Sequence, residues 1–208
     1  MFRFTLFGIP ITVEPWFWIT MALLGGAFTV DSAQGMLMVV LFMMAGFISI
    51  LVHEMGHALM IRKYGLQTQV TLAAFGGYAS YQAGILSRKQ SFLVTAAGPG
   101  LQIIFGLLVL VLAGIVAPPS IPIAYFIKVL CWISLAWAFL NCLPIYPLDG
   151  GQMLAAVLGP RRGRAVHLTG VVVAGILAVL GFASNQWFIA VFMALFAWQN
   201  YQMMQRSP

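Results

Sequence analysis

The chain reads as long apolar runs separated by short polar clusters. Six runs approach the length of a membrane crossing, which takes about 20 apolar residues. They cover residues 15–30, 34–61, 90–117, 123–142, 166–183 and 186–203. Trp16 and Trp18 sit at the start of the first, as suits a membrane interface, and Asp31-Ser32 closes it. Arg62-Lys63 closes the second. Two stretches have a different period. Phe2, Phe4 and Leu6, then Ile9, Ile11 and Val13, alternate with Gly8 and Pro10 as breaks, which predicts a short strand or extended arm at the membrane surface. Residues 66–83 set Gln67, Gln69 and Thr71 against Thr68, Val70 and Leu72, followed by Gly76-Gly77. That pattern predicts a hairpin turning at the two glycines. The expected fold class is therefore an all-α polytopic membrane protein. It has six transmembrane helices, a small membrane-associated β-hairpin or sheet between spans two and three, and one domain over residues 1–208.

Two runs carry internal breaks. Ala96-Ala97-Gly98-Pro99-Gly100 lies inside the third; small residues let helices approach closely, and proline kinks them. The fourth ends in Asn141-Cys142-Leu143-Pro144-Ile145-Tyr146-Pro147-Leu148-Asp149-Gly150-Gly151. That stretch cannot continue a regular helix, and a short helix over 152–158 is expected after it. Irregular backbone at membrane depth is tolerated only where protein buries it or water lines it.

Composition sharpens this picture. The sequence is 62% hydrophobic and 7% charged, with mean hydropathy +0.99, whereas soluble domains carry about 25% charged residues. The net charge of +6 does not point to nucleic acid, because the basic residues cluster at span ends. With six spans, Arg3, Arg62, Lys63, Arg88, Lys89, Arg161, Arg162, Arg164 and Arg206 all fall on one side, leaving only Lys128, within span four. By the positive-inside rule that side, with both termini, is cytoplasmic. No cleavable signal peptide is expected. Cys131 and Cys142 are 11 residues apart on one expected helix, about 16 Å along its axis, too far for a disulfide.

Only four acidic residues occur, Glu14, Asp31, Glu54 and Asp149, and an ionisable group within a span needs a reason to be there. Glu54 has one in His53-Glu54-x-x-His57. Four residues on a helix turn about 400°, so both imidazoles share a face and can hold zinc through two ring nitrogens. Glu54 is then placed as general base toward water at the metal. A catalytic zinc usually takes a third protein ligand. The choices are Asp31, Asp149, His167, Cys131 and Cys142. Asp31 falls on the wrong side of the membrane and Asp149 on the correct one, in the helix break. Zn²⁺ with ionised Asp149 and Glu54 sums to about zero charge, which a low-dielectric site tolerates best. These considerations favour Asp149, with His167 or a cysteine as the fallback.

His53-Glu54-x-x-His57 in an apolar helix, followed by Asn141-x-x-Pro144-x-x-Pro147-Leu148-Asp149-Gly150-Gly151, resembles the site-2 proteases, which are intramembrane zinc metalloproteases. Phe75-Gly76-Gly77, Ala97-Gly98-Pro99 and Gly8-Ile9-Pro10-Ile11 also look like that family. The resemblance covers nearly the whole chain. It implies one zinc held by His53, His57 and Asp149, Glu54 as the catalytic carboxylate, and a role for Asn141 in holding substrate or the oxyanion. It also implies that the hairpin near 66–83 engages substrate as an added strand. Many members carry a PDZ or CBS module. This sequence shows neither, so filtering by such modules is absent or falls to a partner in the membrane. The small size resembles prokaryotic members, which implies a prokaryotic cell membrane.

The expected activity is hydrolysis of a peptide bond in or near a single-span substrate helix within the lipid bilayer. Glu54 takes a proton from water, hydroxide attacks the carbonyl, and Glu54 protonates the leaving amine. Two rivals remain: a metal-binding transporter, since broken helices also mark transport sites, and an inactive protein that binds membrane segments.

Overall fold

The computed structural model describes residues 1–82, 84–116 and 118–207. The expected end of the third span at residue 117, and the last hairpin position at residue 83, lie outside the described residues. In chain order the elements are strands β1 (Phe2–Leu6) and β2 (Ile9–Val13), helices α1 (Pro15–Leu24) and α2 (Ala33–Lys63), strands β3 (Gln69–Ala73) and β4 (Gly76–Ser80), then helices α3 (Arg88–Ile115), α4 (Ile121–Asn141), α5 (Asp149–Leu158), α6 (Gly163–Ala183) and α7 (Trp187–Arg206), with a 3₁₀ turn at Pro160–Arg162 before α6.

The N-terminal alternation forms two strands, not one arm. Phe7 and Gly8 both take positive φ, 49° and 74°, as the tight turns that suit strand twist require. β2 then pairs in parallel with β3, Ile11 opposite Val70 and Val13 opposite Leu72. Parallel neighbours need a crossover, and here α1 and α2 supply it. β3 and β4 pair antiparallel, giving one four-stranded sheet in the order β1-β2-β3-β4. The sheet is thus not confined to the segment between the second and third expected spans. The turn between β3 and β4 falls at Ala74-Phe75, since Ala73 pairs with Gly76. The two glycines expected in the turn lie instead inside β4.

Among the described residues, four segments are long and apolar enough to cross a membrane: α2, α3, α4, and Pro160–Ala183, which holds α6. The runs expected to span at 15–30 and 186–203 are not among them. α1 is only 10 residues, about 15 Å, half of a 30 Å hydrocarbon core, and stops where Gly26 takes φ +83°. α7 has 20 residues, but Gln199, Asn200, Gln202 and Gln205 crowd its final turns. α5 begins at Asp149, three residues earlier than expected. α3 runs unbroken through Pro99.

The chain divides into two compact units. The first comprises Met1–Gly84 and Ala97–Ala138, and the second Ile85–Ala96 and Phe139–Pro208. In the first, Ile9, Ile11, Val13, Val70 and Leu72 from the sheet are buried with Phe17 and Met21 of α1 and Ile50, Met55 and Ala58 of α2. A second cluster joins Ala45 of α2 to Leu130 and Ile133 of α4. Lipid offers no hydrophobic drive between spans, so small residues set their spacing. A Cβ on Gly56 of α2 would strike the Ala97 carbonyl of α3. In the second unit, Ile145, Ala174 and Met193 form the core. Arg88 donates to the carbonyls of Ala156 and Val157, binding the open C-terminal carbonyls of α5, a usual partner for arginine.

Candidate metal centre

α2 is capped by Ser32, whose hydroxyl accepts from the Gly35 N–H at 3.1 Å, and ends at Arg62 and Lys63, where positive charge suits the helix dipole. Over its 31 residues the helix has no proline or interior break, so the four-residue spacing of His53 and His57 is kept. Their rings meet edge to face with centroids 4.8 Å apart. Their Nε2 atoms face each other at 3.1 Å. His53, Glu54 and His57 are 3%, 4% and 9% exposed, so all three lie in an interior where an ionised group must be compensated.

The surroundings fit a metal. His53 Nδ1 lies 2.9 Å from Gln102 Oε1 of α3. A ring that donates from Nδ1 has its Nε2 lone pair bare, and that is the nitrogen turned toward His57. A metal-ligating histidine nearly always donates its other N–H in this way. His57 is hemmed in from α3, because a Cβ on Gly98 would overlap its ring. Glu54 is covered from the sheet. A Cβ on Gly77 would sit 2.6 Å from Glu54 Cγ.

Asp149 belongs to the second unit. It is the first residue of α5 and 7% exposed, where the positive end of the helix dipole favours an anion. Asn141, half-buried, is the last residue of α4. The intervening loop wraps tightly around the start of α5. A Cβ on Gly150 would strike the carbonyls of Cys142 and Leu143, and one on Gly151 the backbone of Ile145 and Tyr146. The two glycines after Asp149 are therefore required by close backbone approach. Gln152 Nε2 donates to the Pro147 carbonyl at 2.9 Å, and Asn200 Nδ2 donates to the Tyr146 carbonyl.

The other candidate ligands have different places. Asp31 is exposed ahead of α2. His167 Nδ1 is 3.3 Å from Asn200 Oδ1, and its ring stands edge-on to Tyr146. Cys131 donates to the Gly106 carbonyl at 3.6 Å. Cys131 and Cys142 are both free thiols, in line with the spacing argument. Asn200 is fully buried.

Residues 41–123 and 116–183 match the sequence profile of Peptidase family M50. The chain belongs to peptidase family M50. Among its curated relatives, the "Putative zinc metalloprotease" of Synechocystis is 31% identical over 167 residues, 74% of this chain and 43% of that protein. The "Putative zinc metalloprotease Rip3" of Mycobacterium tuberculosis is 36% identical over 149 residues, 65% and 37% of the two chains. This M50 chain thus spans less than half the length of those relatives. The "Site-2 Protease from Methanocaldococcus jannaschii" superposes with a TM-score of 0.67 at 22% identity, covering 98% of this chain and 94% of that one, which shows a shared fold. The resemblance to site-2 proteases is borne out, and with four apolar helices of spanning length the M50 chain is an integral membrane protein.

Gln102 and the strand position of Gly77 were not singled out from the sequence, whereas Gly98 was marked as a place of close helix approach. Gln102 did carry a signal, a fully polar side chain in the middle of an apolar run. Membership in a peptidase family leaves the transporter reading without support.

Proposed function

We propose that this chain is an intramembrane zinc metalloprotease that cuts a peptide bond in or near the transmembrane helix of a single-span substrate. The observation that carries the reading is the convergence of His53 Nε2 and His57 Nε2, 3.1 Å apart on a membrane-length helix, with Glu54 buried next in sequence. His53 and His57 would hold one zinc per chain, with Asp149 as the third ligand that a catalytic zinc usually takes. A bound zinc would polarise the scissile carbonyl and acidify water.

The rest of the work falls to the chain. Glu54 accepts a proton from water and returns it to the departing amine. General acid–base catalysis of this kind contributes about 10²–10⁴-fold. The Asn141 amide donates to the oxygen on which negative charge develops. The substrate helix must unwind before its carbonyl is accessible. The outer edge of β4, which among the described residues has a partner strand only on its β3 side, holds the extended segment as an added strand. Both termini and the loops holding nine of the ten basic residues lie in the cytoplasm of a prokaryotic cell, with the metal nearer that face.

Glu54→Gln tests the chemistry. The variant, purified in detergent and given a single-span substrate, binds zinc as the wild type does and fails to cleave. Near-normal turnover in Glu54→Gln would remove Glu54 from the mechanism.

A further inference from the structure

Three buried polar side chains stand in line behind His53, each from a different membrane-length helix: Gln102 from α3, Ser49 from α2 and Ser134 from α4. All three are fully buried. Polar groups in that setting are costly without partners, and these partners form a single chain. Gln102 Nε2 lies 3.2 Å from the Ser49 carbonyl and 2.9 Å from Ser49 Oγ. The Ser49 and Ser134 hydroxyls are 3.0 Å apart. Ser134 donates to the Leu130 carbonyl at 2.7 Å.

The direction of every bond in this chain follows from its two fixed ends. A backbone carbonyl can only accept. The Ser49 carbonyl therefore requires the NH₂ of Gln102 to face it, which turns Oε1 toward His53. The Leu130 carbonyl takes the single proton of Ser134, so the Ser49 proton runs to Ser134 Oγ, and Ser49 Oγ is left to accept from Gln102. The amide orientation, ordinarily an assignment rather than an observation, is here forced. With Oε1 opposite Nδ1 at 2.9 Å, the ring nitrogen must be the donor.

We propose that Gln102, locked by Ser49 and Ser134, is a positioning residue that keeps the proton of His53 on Nδ1 and so presents a bare Nε2 to the metal. The inference rests on the reading of His53 as a metal ligand. It adds that α3 and α4 set the tautomer of a ligand on α2, so that the packing of three spans is coupled to metal affinity. Loss of such an outer partner typically weakens metal binding about 10–100-fold.

Nitrogen-detected NMR of the full chain in detergent micelles, labelled at its three histidines, tests this directly, with and without one equivalent of zinc. His53 is assigned by its loss in His53→Gln. The expected result is a proton on Nδ1 of His53 in both samples. A proton on Nε2 overturns the proposal, and this holds whether or not Gln102 variants fold. The second readout is zinc affinity by competition with a chromophoric chelator. Gln102→Met should bind zinc 10–100-fold more weakly, while Gln102→Glu, which keeps an oxygen opposite Nδ1, should regain most of the loss. A folded Gln102→Met with wild-type affinity overturns the proposal. Wild-type chain that binds no zinc would instead sink the metalloprotease reading and leave the tautomer measurement intact.

Discussion

The α-carbon of Gly77 in β4 lies directly over the side chain of Glu54 in α2, so closely that a β-carbon would come within 2.6 Å of Glu54 Cγ and 2.9 Å of Cδ. The sheet is thus the roof of the carboxylate. Gly77→Ala must displace either the strand or Glu54. A shift of about 1 Å at a reacting group can cost about 10²-fold in rate. We expect Gly77→Ala to lose cleavage by about that factor with zinc content unchanged, read by a cleavage assay beside elemental analysis of the same preparation.

His57 has a similar constraint from the other side. A methyl on Gly98 would overlap its ring, whereas a methyl on Gly100, two residues along the same helix, meets nothing within 4 Å. Gly98→Ala should therefore weaken zinc binding at least tenfold, and Gly100→Ala should leave it unchanged. A chelator competition titration of both variants separates this steric effect from a general sensitivity of α3 to alanine.

The loop before Asp149 is held by Asn200, which donates from Nδ2 to the Tyr146 and Phe196 carbonyls. Asn200 sits in the space left by Gly170, where a Cβ would strike its side chain. Asn200→Ala leaves the part-buried Tyr146 carbonyl without its donor, a cost of about 1 kcal/mol. We expect a lowered unfolding temperature in detergent together with reduced zinc content. Unchanged stability would mean that the loop keeps its form without this contact.

What the sequence revealed divides along physical lines. His53, Glu54 and His57 were legible because helical spacing alone puts the histidines on one face. Asp149 was legible as a candidate because the break around it has no role in a plain span. The sheet was only half legible. Each strand has its own alternation, but the parallel pairing of Ile11 with Val70 joins residues far apart in sequence and leaves no local mark. The first span was read too long because hydropathy continues past Gly25-Gly26, where the helix ends. Gly76 and Gly77 were read as a turn because glycine signals both a turn and a close approach. Only the position of Glu54 beneath β4 tells which applies. Gln102 was passed over because one amide barely lowers the hydropathy of its run.

Chelation should act on the whole account at once. Treatment with a strong zinc chelator is expected to abolish cleavage, and one equivalent of zinc to restore it. Restoration by zinc in wild type but not in Glu54→Gln would separate the metal's part from that of the carboxylate.

The most direct measurement is the metal content of the detergent-purified chain by elemental analysis, wild type beside Asp149→Ala. The account predicts about one zinc per chain in wild type and a marked fall in the variant. Wild type without metal, or zinc held equally well by Asp149→Ala, would contradict it.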